Sequence, residues 1–279
     1  MAKAPPYPFV KWAGGKSRVA QYVLRRLPDS IGTYYEPMVG GGAIFFELAK
    51  AKRFKNAVLA DKNPDLINTW NVIQNNVEEL IKELSNKKKY RYEKQTYMKI
   101  RSSTKDMTKV ELAARFIFLN KTCFNGLYRL NSKGGFNVPF GKYEDPLICD
   151  EKNLRTVSHL LEDVDIILQD FGRATLDAAD GDAIYFDPPY IPLSNTSKFT
   201  SYTSDGFTID DHMRLAKTFK LLGDGGTRVV LSNSSAKAAI ELYGGFDIDW
   251  IIGTRSVGGP ADYRKSVKEM VVFHGPRGK

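Results

Sequence analysis

The sequence predicts an α/β fold: a doubly wound sheet carrying an inserted, mainly helical subdomain. Three observations predict it. Seven short apolar runs recur along the chain, at 33–36, 57–60, 165–168, 183–186, 228–231, 250–253 and 269–273. Helix patterns lie between them, and alternation of this kind argues a sheet with helices on both faces. One long basic stretch, 65–161, breaks the alternation. At 279 residues and 42% hydrophobic content the chain is globular and long enough for a sizeable core.

The elements follow in order. A helical pattern at 17–27 precedes the first strand. Gly40-Gly41-Gly42 then opens a helix at 43–50, because glycines permit the tight turn from strand to helix. The strand at 57–60 ends at Asp61, and a helix pattern runs over 64–76. Helices are also expected at 210–222 and 237–243, the second with a start signal in Ser234-Ser235. Within the insertion, Leu127–Leu130 and Phe136–Val138 flank Asn131-Ser132-Lys133-Gly134-Gly135, which reads as a β-hairpin. Residues 1–64 and 162–279 are therefore expected to form the α/β core, and 65–161 the insertion.

Charge narrows the partners. The net charge is +9, which favours a polyanion. Between Lys87 and Lys109, nine Lys/Arg face two acids, a net +7 interleaved with Tyr90, Tyr92 and Tyr97. Such a run is either a solvated face or a phosphate-contacting one. The loop 255–265 carries further cations, Arg255, Arg264 and Lys265. Two cysteines, Cys123 and Cys149, with three scattered histidines point to no metal site. No apolar run is long enough to span a membrane, and the first residues lack an apolar signal core, so the expectation is a cytoplasmic protein.

Asp187-Pro188-Pro189-Tyr190 is the most informative stretch. It follows the buried run Ala183–Phe186. Asp187 can accept one N–H of a planar exocyclic amine, the Pro188 carbonyl the other, and Tyr190 can stack on the ring. The prolines stiffen the turn and remove two donors. The plainer alternative is a strand followed by a rigid turn.

Gly40, Gly42 and Asp61 form a second signal. A glycine-rich turn before a helix, with an acid 19 residues after Gly42, suits a ligand with ribose hydroxyls. The dinucleotide fingerprint would need Gly where Phe45 stands. The pair therefore fits S-adenosyl-L-methionine (AdoMet), which carries ribose and adenine without phosphate; a plain strand–helix turn is the alternative. Lys11-Trp12-Ala13-Gly14-Gly15-Lys16-Ser17 ends like a phosphate-binding loop, but Val10 occupies the place of its first glycine. A turn bringing Trp12 and Lys16 to the cofactor is the better reading, with Lys11 facing nucleic acid. In the insertion, Arg129 can pair with guanine, Leu127 and Pro139 can pack on a thymine methyl, and Phe124 can wedge into a base stack. A hairpin with an ordinary packed core is the competing reading.

Taken in order, Phe9–Lys16, Glu36–Ala43, the insertion and Asp187–Tyr190 resemble the Dam-type DNA adenine-N6 methyltransferases (D12 class, alpha group), over nearly the whole chain. Asn125-Gly126-Leu127, Arg129-Leu130-Asn131 and Phe136–Gly141 resemble members that recognise GATC. The resemblance implies a Rossmann-like AdoMet-dependent methyltransferase sheet and a target-recognition subdomain. It implies cofactor contacts from Trp12, Lys16, Gly40, Gly42, Asp61, Asp170 and Asp187, and catalytic roles for Asp187, Pro188 and Tyr190. Recognition falls on Lys11, Phe124, Asn125, Leu127, Arg129 and Pro139. Phe124 stands where several members carry Tyr, which keeps the ring and loses a hydroxyl. The implied partner is double-stranded DNA, methylated at adenine N6 by base flipping and direct displacement, without a metal. A monomer suffices for a palindrome, and a cognate restriction endonuclease is a possible partner. The rival readings are a cytosine-N4 enzyme, an RNA adenine methyltransferase and a catalytically silent DNA-binding protein.

Overall fold

The structure is a computed structural model that describes residues 6–12, 19–103, 106–193, 206–254 and 266–276. All seven expected strands are present: β1 (Ile31–Glu36), β2 (Phe54–Asp61), β3 (Val164–Leu168), β4 (Ala183–Phe186), β5 (Arg228–Ser234), β6 (Asp247–Thr254) and β7 (Ser266–His274). They form one sheet in the order β3-β2-β1-β4-β5-β7-β6. β1, β4 and β5 run parallel, while β7 lies antiparallel between β5 and β6. The chain's progress across the sheet reverses between β1 and β4. In open α/β sheets the crevice beyond the carboxyl ends at such a reversal is where ligands bind.

The chain divides into two compact units. The first joins the N-terminal segment, Val39–Ala51 and Leu59–Gln169. It contains α2 (Ala43–Lys50), α3 (Pro64–Asn75), α4 (Val77–Leu84), α5 (Lys94–Ser102), α6 (Lys109–Thr122) and α7 (Glu151–Leu160). Start signals are local and strong. Asn63 caps α3 with Pro64 at its first turn, Thr108 and Glu111 form a capping box on α6, and Asp150 caps α7. Trp70 of α3 is fully buried and packs on Phe9, Phe45 and Phe46. The helices of 65–161 therefore share a core with α2 and the N-terminal segment, so the compact unit extends beyond the insertion read from sequence.

The second unit holds residues 19–38, Lys52–Val58 and 170–276 as far as described. It contains α1 (Ala20–Arg26), α8 (Phe171–Ala174), α9 (Ile209–Asp224) and α10 (Lys237–Tyr243) with β1, β4, β5, β6 and β7. Phe186, Phe219, Leu231, Tyr243, Met270 and Val272 sit in its core. His212 of α9 is buried there, edge-on to Phe207 at 4.7 Å, and neither ring nitrogen has a partner among the described residues. Burial pushes its pKa down to about 4.

Two local expectations need correction. α10 starts at Lys237, after an N-cap at Ala236 that has no capping side chain; Ser234 belongs to β5, donates its hydroxyl to Ile191 O and accepts from Ala236 N at 3.3 Å. The hairpin at 126–140 is not a ladder. Only the isolated bridges Cys123↔Phe140 and Leu130↔Phe136 close it, around a turn in which Asn131 N bonds Gly135 O at 2.8 Å. A 3-10 turn at Phe124–Gly126, the left-handed Asn125 (φ 56°) and the missing N–H of Pro139 break the pairing register.

Candidate active site

The second unit positions the Asp-Pro-Pro-Tyr turn. All four residues of β4 are buried, and the register pairs Phe186 with Leu231. Asp187 thus emerges beside Ser232, whose hydroxyl donates to Asp187 Oδ1 at 3.0 Å. Tyr185 Oη lies 2.8 Å from the same Ser232 Oγ. Tyr190 donates its hydroxyl to Glu269 at 3.2 Å, and Ile191 N donates to Asn233 Oδ1 at 3.1 Å. The turn is therefore tied at its start, at its aromatic residue and just past it, to β5 and β7. Asp187 and Tyr190 are half-buried, whereas Pro188 is buried. The sequence reading missed Ser232, Asn233 and Glu269. The signal was available in Ser232-Asn233-Ser234, a polar run at the end of an otherwise apolar buried strand.

Asp170, also in this unit, caps α8 by accepting from Gly172 N at 3.0 Å. Both its oxygens are held by Arg214, at 2.5 and 2.8 Å, and that guanidinium lies 3.9 Å from the Phe171 ring centroid. Sequence alone gave no sign of Arg214.

The first unit builds the glycine turn. Gly40 and Gly42 adopt positive φ, 48° and 68°, which favours glycine at both. Space also demands it: a Cβ on Gly40 would stand 2.6 Å from the Trp12 indole, and one on Gly42 2.8 Å from Trp70. Gly40 N donates to Asp61 Oδ2 at 3.1 Å and Asn63 N to Asp61 Oδ1 at 2.9 Å. Trp70 Nε1 donates to Gly40 O at 3.1 Å. Burial raises the Asp61 pKa, and the N–H groups of Asn63, Gly40 and Lys62 oppose that rise. Trp12 stacks on Tyr128 at 5.9 Å. The structure thus brings Trp12, Gly40, Gly42 and Asp61 together; Lys16 lies outside the described residues.

The same unit presents the recognition candidates. Asn120 is 2% exposed and its amide is fully used. Its Oδ1 accepts Lys11 N at 2.8 Å, and its Nδ2 donates to Lys11 O at 2.7 Å and Gly126 O at 3.1 Å. Gly126 leaves no room for a side chain, since a Cβ would stand 2.4 Å from Lys11 Cβ. Lys11 Nζ sits 3.9 Å from the Tyr143 ring centroid. Phe124 is 51% exposed, and Asn125, Leu127, Arg129 and Pro139 are also exposed. Arg129 Nε donates to Asn137 Oδ1 at 2.6 Å. From α5, Tyr97 Oη and Arg101 Nη1 both donate to Val138 O, at 2.7 and 3.2 Å.

The basic run splits into two roles. Lys89 pairs with Glu83 and Glu111, Arg91 pairs with Glu93, and Arg101 turns to the loop backbone. Lys87, Lys88, Lys94, Lys99 and Lys109 remain exposed. Lys105 and the 255–265 loop lie outside the described residues. Cys123 is buried, and burial pushes its thiol up to about 11, which suits a structural residue. Among the described residues no His/Cys/Asp/Glu group could hold a metal, and no helix is long and apolar enough to cross a membrane.

The family model for D12 class N6 adenine-specific DNA methyltransferases matches residues 12–256. Type II methyltransferase M1.LlaDCHI of Lactococcus lactis subsp. cremoris is 43% identical over 272 residues, covering 95% of this chain and 94% of that one. Type II methyltransferase M.MjaIII of Methanocaldococcus jannaschii is 41% identical, covering 96% and 98%. A DNA adenine methylase of Vibrio cholerae is 35% identical, covering 96% of each. With a matched family model that spans the glycine turn, the 124–140 loop and the Asp-Pro-Pro-Tyr turn, the chain belongs to the D12 class N6 adenine-specific DNA methyltransferases.

Proposed function

We propose that this enzyme methylates adenine N6 within GATC in duplex DNA, with AdoMet as donor, by base flipping and direct displacement. The observation that carries this reading is the Asp187 carboxylate, held at Oδ1 by Ser232 where β4 ends and the sheet order reverses. A target adenine inside a duplex is unreachable, so it must be extruded at a cost of about a few kcal/mol. Phe124, an exposed ring on the recognition loop, and its neighbour Asn125 are suited to fill the gap. Asp187 and the Pro188 carbonyl accept the two N6 hydrogens. That favours a pyramidal nitrogen with an available lone pair. Tyr190 stacks on the base, its hydroxyl secured by Glu269. Positive charge grows on N6 during transfer, and Asp187 stabilises it there. No covalent enzyme intermediate is needed, and the surplus N6 proton would pass late to water.

The residues present suit the donor. Asp61 offers acceptor oxygens for ribose hydroxyls, beside backbone that a side chain on Gly40 would displace. Trp12, Gly40, Gly42 and Asp61 would hold AdoMet, with Lys16, Asp170 and Asp187 assigned the contacts the family pattern implies. When bound, AdoMet supplies an electrophilic methyl on a sulfonium.

Residues 65–161 form the recognising portion in this reading. Arg129 reads guanine, Leu127 and Pro139 meet the thymine methyl, and Lys11 joins them through its backbone link to Gly126 by way of Asn120. Exposed Lys87, Lys88, Lys94, Lys99 and Lys109 contact phosphates, which makes affinity strongly salt-dependent. The test is incubation of plasmid DNA with AdoMet, followed by endonucleases that differ in sensitivity to GATC methylation. Protection confined to the enzyme blocked by N6-methyladenine in GATC is expected. Methyl incorporation that leaves every GATC cleavable would overturn the assignment of the site.

A further inference from the structure

The second unit holds a buried hydroxyl chain that ends on the proposed amine acceptor. Tyr185 and Asp187 are two residues apart, so they face the same side of β4. The β4–β5 register sets Phe186 against Leu231 and so places Ser232 on that side, next to Asp187. Tyr185 is 1% exposed and Ser232 fully buried. Tyr185 Oη to Ser232 Oγ is 2.8 Å, and Ser232 Oγ to Asp187 Oδ1 is 3.0 Å.

The donor inventory fixes the direction of the chain. A carboxylate only accepts, so the single Ser232 proton points to Asp187. The Ser232 oxygen then accepts from Tyr185, whose phenol has one proton to give. Burial and the neighbouring Asp187, Tyr190 and Glu36 all hold that phenol in its protonated, donating form. The order is therefore Tyr185 O–H to Ser232 O–H to Asp187.

We propose that Tyr185 and Ser232 are positioning residues for methyl transfer: together they set the rotation of the Asp187 carboxylate so that it meets the N6 hydrogens of the flipped adenine. The inference rests on the reading of Asp187 as amine acceptor. Ser232 acts directly on the carboxylate, and Tyr185 acts only through Ser232. Neither touches DNA or AdoMet. A hydrogen bond to an ionised group in a low-dielectric surround is among the stronger ones, and linked donors reinforce one another.

The experiment measures single-turnover methyl transfer to a duplex substrate, with AdoMet and DNA dissociation constants and thermal unfolding recorded for each variant. Ser232→Ala is expected to slow transfer by about 10- to 100-fold, with both dissociation constants within about twofold of the parent. Tyr185→Phe is expected to slow it by about 3- to 10-fold. Ser232→Thr keeps a hydroxyl and recovers most of the rate. In a Ser232→Ala background, Tyr185→Phe has no further effect, because the relay is already cut; independent structural damage would instead multiply. Should Ser232→Ala fail to fold, Tyr185→Phe and Ser232→Thr carry the test. Asp187→Ala, which removes the acceptor oxygens altogether, separates the two layers. If it retains the parent rate, the reading of Asp187 itself falls. If it abolishes transfer while Ser232→Ala and Tyr185→Phe stay within twofold of the parent, or their effects multiply, the positioning chain alone is overturned.

Discussion

The Asp-Pro-Pro-Tyr turn and the loop at 124–140, proposed above to read DNA, are built by opposite means. The turn leaves a buried parallel strand and is tied to β5 through Ser232 and Asn233 and to β7 through Glu269. The loop has two isolated bridges and no ladder, and its chemistry-bearing side chains are exposed. Its backbone is anchored by Asn120 at Gly126 and by Tyr97 and Arg101 at Val138, and its inward-facing rings Tyr128 and Phe140 pack on Trp12 and Tyr92. A group that must meet a reacting atom within a fraction of an ångström gains from strand register. Groups that must read base edges gain from exposure, with the backbone held by a scaffold.

That contrast predicts different losses. Removing the acceptor should give the largest effect: Asp187→Ala lowers the single-turnover rate by about 10²- to 10³-fold on every substrate, with DNA affinity retained in a gel-shift titration. More than a few per cent of residual rate would mean that the turn does not hold the amine. Asn120→Ala should come next. It strands Lys11 N and Gly126 O, which costs on the order of 1–3 kcal/mol of stability. Chemical denaturation reports that cost, and a fall in discrimination between GATC and altered sites reports the loosened loop. An unchanged midpoint would show the loop to be anchored elsewhere.

Arg129→Ala should alter choice rather than rate, relaxing selection at one guanine by on the order of 1–3 kcal/mol. Competition between cognate and single-substituted duplexes measures it. Equal weakening on all sequences would make Arg129 a phosphate contact and blur the division between the two regions. The effect least tied to either region concerns pH. His212 is buried neutral, with its folded pKa of about 4 below the ordinary 6.5. Between these values the unfolded chain binds the extra proton, so stability falls as pH drops through that window, by up to about 1.4 kcal/mol per pH unit. Above pH 6.5 the contribution is fully present. His212→Phe should flatten the denaturation midpoint between pH 6.5 and 4; an unchanged slope would place the acid sensitivity elsewhere.

The four-residue Asp187–Tyr190 turn, the glycine turn and the seven strands were legible from local pattern. Apolar runs, glycines and prolines act within a few residues of themselves. The same locality explains where pattern failed. The 126–140 segment looks like a hairpin by composition, yet a left-handed Asn125 and Pro139 cost it the ladder. Ser234 looked like a helix start, yet strand pairing claimed it for β5.

What the sequence by itself determined was the set of chemical groups and their order along the chain. The partners were decided by tertiary structure. Ser232 lies 45 positions from Asp187, Arg214 lies 44 from Asp170, and Asn120 lies 109 from Lys11. A polar side chain carries no mark of which distant group it will meet. Burial forces each one to find a partner, and only strand register and helix packing select which partner is within reach.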